Sequence, residues 1–349
     1  VINASYKKYI LEFKNASGTS RGILKTKETW FIYLSDETKT GIGETGLFRG
    51  LSIDDKPNYE EKLKWVCQNI NLGFSFLVRE LHEFPSIQFG LEQAFLSLNS
   101  NPKFKLFSSD FTKGKQAIPI NGLVWMGEKA FMKSQIQEKI EAGFSCIKMK
   151  IGAIDFETEL ELLKSIRKEF SSKKIELRVD ANGAFSPKNA LEKLKRLAAF
   201  EIHSIEQPIA VNQLDEMASL CENSPIDIAL DEELIGVFSQ EKKQQLLESI
   251  KPQYIILKPS LIGGFQGSTD WINSAEKLGI NWWITSALES NIGLNAIAQF
   301  TFQLNNNLPQ GLGTGGLFTN NFDSPLEVKN GELHYNPEFS WNLKNLDIN

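Results

Sequence analysis

Five ionisable residues in this chain recur at nearly even intervals, and each closes a short apolar run. They are Lys150 in Lys148-Met149-Lys150, Asp180 in Asp180-Ala181-Asn182, Glu206 in Glu206-Gln207-Pro208, Asp231 in Asp231-Glu232, and Lys258 in Lys258-Pro259. The steps between them span 25 to 30 residues, the length of one strand-loop-helix-loop unit. Side chains on a strand alternate with period two, so Lys148 and Lys150 share a face, as do Arg178 and Asp180. Carboxylates gathered at one rim repel one another unless neutralised. A hard divalent cation with oxygen ligands resolves this, which points to Mg²⁺ held by Asp180, Glu206 and Asp231, with Mn²⁺ able to substitute. Zinc is disfavoured, because no His or Cys accompanies the acids.

The lysines call for different chemistry. At its reference pKa of ~10.4 a lysine is a poor base at neutral pH. Beside other cations and partly desolvated, it releases its proton more readily. The expectation is therefore that Lys148, Lys150, Lys258 and a metal repel one another. A neutral lysine would then remove the proton α to a carboxylate, and the cation would stabilise the resulting enediolate. Each feature alone has a plain reading: a strand-end Asp caps a loop, Lys-x-Lys is a solvated edge, and Lys-Pro ends a strand. Five in register across consecutive units favour an active site.

The elements that must place these residues are visible as alternation. Apolar runs fall at Ile118–Trp125, Cys146–Ile151, Ile175–Asp180, Ile202–Glu206, Ile226–Asp231, Tyr254–Lys258 and Trp282–Ser286, with a glycine-rich segment at Gly311–Gly316. Between them lie amphipathic helix candidates. In Ala190–Phe200, Leu191, Leu194, Leu197 and Ala198 share a face; in Glu159–Phe170, Leu163, Ile166 and Phe170 do so. Eight such runs predict a closed α/β barrel, whose active site forms at the carboxyl ends of the strands. Before about residue 110 the pattern is mixed. Val1–Leu11 and Trp30–Leu34 read as strands, Lys39–Gly50 as a glycine-rich loop, and Glu60–Leu77 and Ser86–Leu98 as helices. The expected division is an α+β capping domain over 1–112, a barrel over 113–318, and a C-terminal segment over 319–349 with strand pieces around Asn330-Gly331 that returns to the cap.

Composition narrows the partners. The formal charge of −5 suggests no nucleic-acid or anionic-membrane partner. No apolar run approaches the ~20 residues of a membrane span, and Val1–Leu11 does not read as a signal peptide. Three scattered cysteines, Cys67, Cys146 and Cys221, argue against a disulfide framework and for a cytoplasmic setting. A small-molecule carboxylate is the expected partner; assembly into a homo-oligomer is left open.

The motifs around the five residues resemble the muconate-lactonizing subgroup of the enolase superfamily over nearly the whole chain, and Gly41-Ile42-Gly43-Glu44 resembles the strand-and-loop of that family's capping domain. The resemblance implies a modified (β/α)7β TIM-type barrel with an α+β cap whose loops, near residues 15–22 and 43–52, close over the substrate. The seventh run, Trp282–Ser286, has no histidine, unlike the mandelate-racemase-like branch. His203 lies three positions before Glu206 and is expected to face away from the metal. The segment Gly311-Leu312-Gly313-Thr314-Gly315-Gly316 lacks the Asp-x-Asp of dipeptide epimerases. Together with Ser286-Ala287-Leu288-Glu289-Ser290, it is most like the o-succinylbenzoate synthases, which dehydrate 2-succinyl-6-hydroxy-2,4-cyclohexadiene-1-carboxylate in menaquinone synthesis. Racemisation of N-acylamino acids, dipeptide epimerisation and muconate cycloisomerisation are the alternatives. In this reading Lys150 and Lys258 are catalytic, and Lys148, Asn182 and Glu232 support them. Ser286, Gly313, Thr314 and Arg21 meet the rest of the substrate. A vestigial binding barrel or a Schiff-base aldolase would have no use for the complete carboxylate series.

Overall fold

The structure, a computed structural model, describes residues 1–19 and 22–346. The chain opens with an antiparallel sheet of β1 (Asn3–Thr19), β2 (Gly22–Ser35) and β3 (Thr40–Glu44). Helices α1 (Tyr59–Gln68), α2 (Phe74–Glu80) and α3 (Pro85–Asn99) cover it. Alternation on β2 sends Trp30, Ile32 and Leu34 into a core with Leu63, Val66, Leu91 and Ala94. Phe31 goes to the opposite face, against Ile292, Phe322 and Leu346. The sheet is thus buried on both sides.

Two readings of this region change. Residues expected to lie in a glycine-rich loop form β3, paired in register with β2 from Phe31↔Glu44 to Ser35↔Thr40. The glycines are there because α3 lies directly on the strand. A Cβ on Gly41 would sit 2.3 Å from Ala94 O, and one on Gly43 would sit 1.9 Å from Gly90 O. The single helix expected over Glu60–Leu77 is two, interrupted at Asn69–Gly73, where Gly73 takes φ +92°. That conformation is open to glycine and ends the helical run.

The next strands, β4 (Ile118–Pro119) and β5 (Gly122–Val124), lead into the barrel. It continues through α4 (Lys129–Glu141), β6 (Cys146–Lys150), α5 (Phe156–Glu169), β7 (Glu176–Asp180), α6 (Pro187–Ala198), β8 (Ser204–Glu206), α7 (Leu214–Asn223) and β9 (Asp227–Leu230). Then come α8 (Gln240–Ile250), β10 (Tyr254–Leu257), α9 (Pro259–Ile262), α10 (Gly264–Lys277), β11 (Asn281–Ile284) and α11 (Asn291–Gln303). Strands β5 to β11 form one parallel sheet in sequential order. Parallel strands joined by helices bury both sheet faces, which accounts for their continuous apolar runs.

Gln310 and Gly311 close the ring. Gly311 N donates to Ile284 O at 2.8 Å and its carbonyl accepts from Ser286 N at 3.0 Å. Gln310 N donates to Pro119 O at 2.8 Å and its carbonyl accepts from Asn121 N at 3.0 Å. The eighth strand position is therefore these two residues. The remainder of the expected glycine-rich run turns away, with a 3₁₀ turn at Gly315–Leu317. A Cβ on Gly311 would meet Thr285 Oγ1 at 2.1 Å, so the closing segment needs glycine for its approach to β11.

The strand pieces near the C-terminus are β12 (Leu326–Lys329) and β13 (Glu332–Tyr335), joined by a tight turn with Asn330 at φ 54° and Gly331 at φ 73°. β13 pairs with β4. Neighbouring residues of this segment reach β1: Asn320 Nδ2 donates to Ile10 O at 2.8 Å, and Lys7 Nζ to Leu346 O at 2.7 Å. All three cysteines are free. Among the described residues no helix is long and apolar enough to cross a membrane.

Candidate active site

Strand register brings the five residues together. Lys150 lies beside Asp180, and Asp180 beside Glu206. Glu206 pairs with Ala229, so Asp231 stands two residues further toward the rim, the stagger that a closed barrel imposes. In sheet order the sequence is Lys150, Asp180, Glu206, Asp231, Lys258: three carboxylates flanked by two lysines. Lys148, two residues before Lys150, points to the same side from one layer below.

The groups pair extensively. Lys150 Nζ lies 2.8 Å from Asp180 Oδ2 and 2.7 Å from Asn182 Oδ1. Lys148 Nζ bridges Asp180 Oδ2, at 2.9 Å, and Glu206 Oε2. Lys258 Nζ pairs with Asp231 Oδ2 and lies 3.9 Å from Glu206 Oε1. Asn182 Nδ2 donates to Glu232 Oε1 at 2.9 Å. Asn182 and Gln207 both take positive φ, 43° and 39°, immediately beyond their strands. Backbone strain of this kind collects where side chains must be aimed. Gln207 in turn accepts from Asp231 N at 3.3 Å.

Electrostatics follow from the pairing. Burial alone would lower the Lys148 pKa, but Asp180, Glu206 and Asp231 outweigh it and raise it above the usual lysine value. Lys258 is raised too: burial opposes, while Asp231 and Glu206 prevail. This corrects the expectation that mutual repulsion dominates these lysines, since each faces more carboxylate than ammonium. Burial and Asp180 push the Glu206 carboxyl well above its usual range. Asp180 and Asp231 are held below theirs: burial opposes, but Lys148 and Lys150 act on the first and Lys258 on the second.

Among the described residues, no three His, Cys, Asp or Glu side chains already stand in a metal-holding group. The ammoniums explain this, for they occupy the gaps between carboxylates. The donor set nonetheless fits a hard divalent cation. It is all oxygen, Lys148 Nζ already serves as a cation shared by two of its members, and Glu206 Oε1 is buried with no hydrogen-bond partner among the described residues.

A cavity of about 450 Å³ opens above this arc, lined by Lys148, Lys150, Asn182, Glu232 and Lys258. Ser286, Gly313 and Thr314 also line it, with Ser286 Oγ 2.6 Å from Thr314 Oγ1. Asp180, Glu206 and Asp231 do not line it but are paired with the lysines that do, and Arg21 lies outside the described residues. Phe48 and Leu51, in the expected cap loop, and Asn15 line the cavity as well. Trp125 and Leu123, at the end of β5, and Phe131, in the first turn of α4, form part of the wall and were missed, because an isolated apolar residue in either place reads as core. His203 is away from the arc: its Nδ1 lies 2.9 Å from Ser204 Oγ, and its ring packs 5.1 Å from that of Tyr254.

A cap on a parallel barrel with a lysine-flanked carboxylate arc at the strand ends is the architecture of one enzyme class, and residues 132–338 match the family described as enolase C-terminal domain-like. The chain belongs to the enolase superfamily and is an enzyme of it, acting on a small molecule. It is 47% identical to an o-succinylbenzoate synthase of Desulfotalea psychrophila, over 94% of this chain and 98% of that one. Its structure is similar to the crystal structure of MenC from the same organism, with a TM-score of 0.85 and 44% identity over 95% of this chain and 99% of that chain. Muconate lactonizing enzyme from Pseudomonas fluorescens shares the fold, with a TM-score of 0.83 at 21% identity over 99% of this chain and 98% of that chain.

Proposed function

We propose that the protein is an o-succinylbenzoate synthase, which dehydrates 2-succinyl-6-hydroxy-2,4-cyclohexadiene-1-carboxylate to 2-succinylbenzoate as a cytoplasmic step of menaquinone synthesis. The observation that carries the reaction class is the arc of three buried carboxylates with a lysine at each end, both lysines lining a cavity of about 450 Å³. The similarity along almost the full length to the Desulfotalea psychrophila synthase supports the choice of substrate.

Asp180, Glu206 and Asp231 would hold Mg²⁺, or Mn²⁺ in its place; when bound it supplies the charge that acidifies the carbon beside the substrate carboxylate and stabilises the enediolate. Lys150 Nζ takes the α-proton once it is neutral. The hydroxyl on the adjacent carbon then departs from the same face with that proton as water, and the ring becomes aromatic. Lys258 stays cationic, as its raised pKa favours, and faces the developing negative charge from the far end of the arc. Asn182 orients Lys150 through the 2.7 Å contact and is itself fixed by Glu232. Lys148, paired with Asp180 and Glu206, keeps their oxygens in place. Ser286, Thr314 and the backbone at Gly313 receive the succinyl group.

The test follows the diene absorbance of that substrate with magnesium present. Turnover by the wild type, and a loss of at least a hundredfold in Lys150→Ala with the fold retained, are expected. No turnover by the wild type would reject the substrate, and near-normal turnover by Lys150→Ala would reject the base.

A further inference from the structure

Leu288 has a left-handed backbone, φ 63°, in the short segment between β11 and α11. A branched residue there is strained and persists only where its surroundings hold it. What holds it comes from the other domain. Lys27, on β2 of the cap, donates from Nζ to Leu288 O at 2.9 Å, and its side chain is buried. Glu44, at the end of β3, crosses the same boundary. Its carboxylate accepts from Ser290 N at 2.9 Å, Ser290 Oγ at 2.5 Å, Gly293 N at 2.9 Å and Thr29 Oγ1 at 3.0 Å.

Four donors converge on one fully buried carboxylate, which only an acceptor-only group can satisfy. Two of them are free N–H groups at the start of the 13-residue α11. Gly293 leaves the space, since a Cβ there would stand 2.8 Å from Glu44 Oε2. The cap therefore grips the segment at both ends, by the Leu288 carbonyl and by the first turn of α11. Between the end of β11 and this grip lie Ser286, Ala287 and Leu288, all on the cavity wall. They bring a hydroxyl and apolar surface but no charge, a wall suited to the part of a substrate remote from the activated carboxylate.

We infer that Lys27 and Glu44 are positioning residues: through them the docked cap sets the shape of the Ser286–Leu288 wall, and with it the preference for the substrate's tail. The assignment of that tail as a succinyl group rests on the function proposed above; the positioning itself does not.

Two measurements on Lys27→Met and Glu44→Gln test it. The glutamine brings a donor where four donors already point. Amide hydrogen exchange over Ser286–Gly293 is expected to accelerate at least tenfold in both variants, with α5 unchanged; unchanged exchange in that segment would overturn the inference. Titration of 2-succinylbenzoate and of benzoate, with magnesium present, is expected to show the succinyl ligand weakened tenfold or more and benzoate within twofold. Equal weakening of both would replace positioning with general destabilisation. If the wild type binds no 2-succinylbenzoate, the proposed substrate fails while the exchange result still decides the positioning. Thr29→Val, which removes one of the four bonds from the cap side, should shift exchange in the same direction by less, and it serves if either variant does not fold.

Discussion

Replacing Lys148 by methionine probes the carboxylate arc without touching its acids. The Lys148 ammonium is buried, 2.9 Å from Asp180 Oδ2 and in contact with Glu206 Oε2. In this cluster three lysines, Lys148, Lys150 and Lys258, face four acids, Asp180, Glu206, Asp231 and Glu232. Methionine fills most of the space, so little of the effect comes from a cavity. The dominant effect is the loss of one partner from a buried ion-paired group, about 3–5 kcal/mol. A divalent cation between the same carboxylates replaces the missing charge. In the wild type the cation shares these oxygens with the Lys148 ammonium and is repelled by it, whereas in the variant it meets no such charge. At a hundredfold excess over its dissociation constant, a ligand that binds only the folded state adds about 2.7 kcal/mol. Urea unfolding followed by tryptophan fluorescence should show Lys148→Met less stable than wild type by about 3–5 kcal/mol in EDTA. In saturating magnesium the gap should narrow by at least 1 kcal/mol or so. A gap that is the same in both buffers would refute the competition between Lys148 and the cation, and no stabilisation of either protein by magnesium would refute the carboxylates as a cation site. A gap in EDTA below about 1 kcal/mol would refute the reasoning from burial.

Two other outcomes follow from the packing of the cap. Glu92, on α3, accepts from Phe265 N at 2.5 Å and Gln266 N at 3.2 Å at the start of α10, and burial pushes its carboxyl up to about 7 from 4.5. The folded chain then keeps a proton that the unfolded chain releases, so this stability is fully present below the lower value and is lost as pH rises through the upper one, by about 3 kcal/mol. Glu92→Gln should remove that dependence, and a wild-type-minus-variant stability difference that stays constant across the window would contradict it. Gly43→Ala places its Cβ 1.9 Å from Gly90 O and must push α3 off β3, whereas at Gly316 a Cβ meets nothing within 4 Å. Thermal unfolding should show Gly43→Ala destabilised by about 1–3 kcal/mol or more and Gly316→Ala nearly unchanged; equal melting temperatures for the two would count against the close approach.

Much of the barrel could be read from the chain because its strands are short, apolar and evenly spaced, and because each ends in a residue that is out of place in a core. The cap was harder. Gly41 and Gly43 read as loop in one dimension, yet they are strand residues whose missing side chains admit α3. The 3₁₀ break at Asn69–Gly73 lies inside what periodicity alone reads as one helix. Glu44 lies in a motif that resembles the family's cap, but nothing local tells what it or Lys27 binds, since their partners lie 246 and 261 residues away along the chain.

The sequence by itself determined the chemistry that is available: three carboxylates, two flanking lysines and the unit spacing that places each at a strand end. Period-two alternation and the regular βα repeat are local rules, so they can be read without coordinates. The tertiary structure decided what that chemistry faces. Barrel closure at Gln310-Gly311 turned a linear series into an arc. Convergence made carboxylates, rather than fellow ammoniums, the main influence on Lys148 and Lys258. Docking of the cap set the wall of the cavity above them. Each of these depends on distances between residues far apart in the chain, which composition and spacing do not contain.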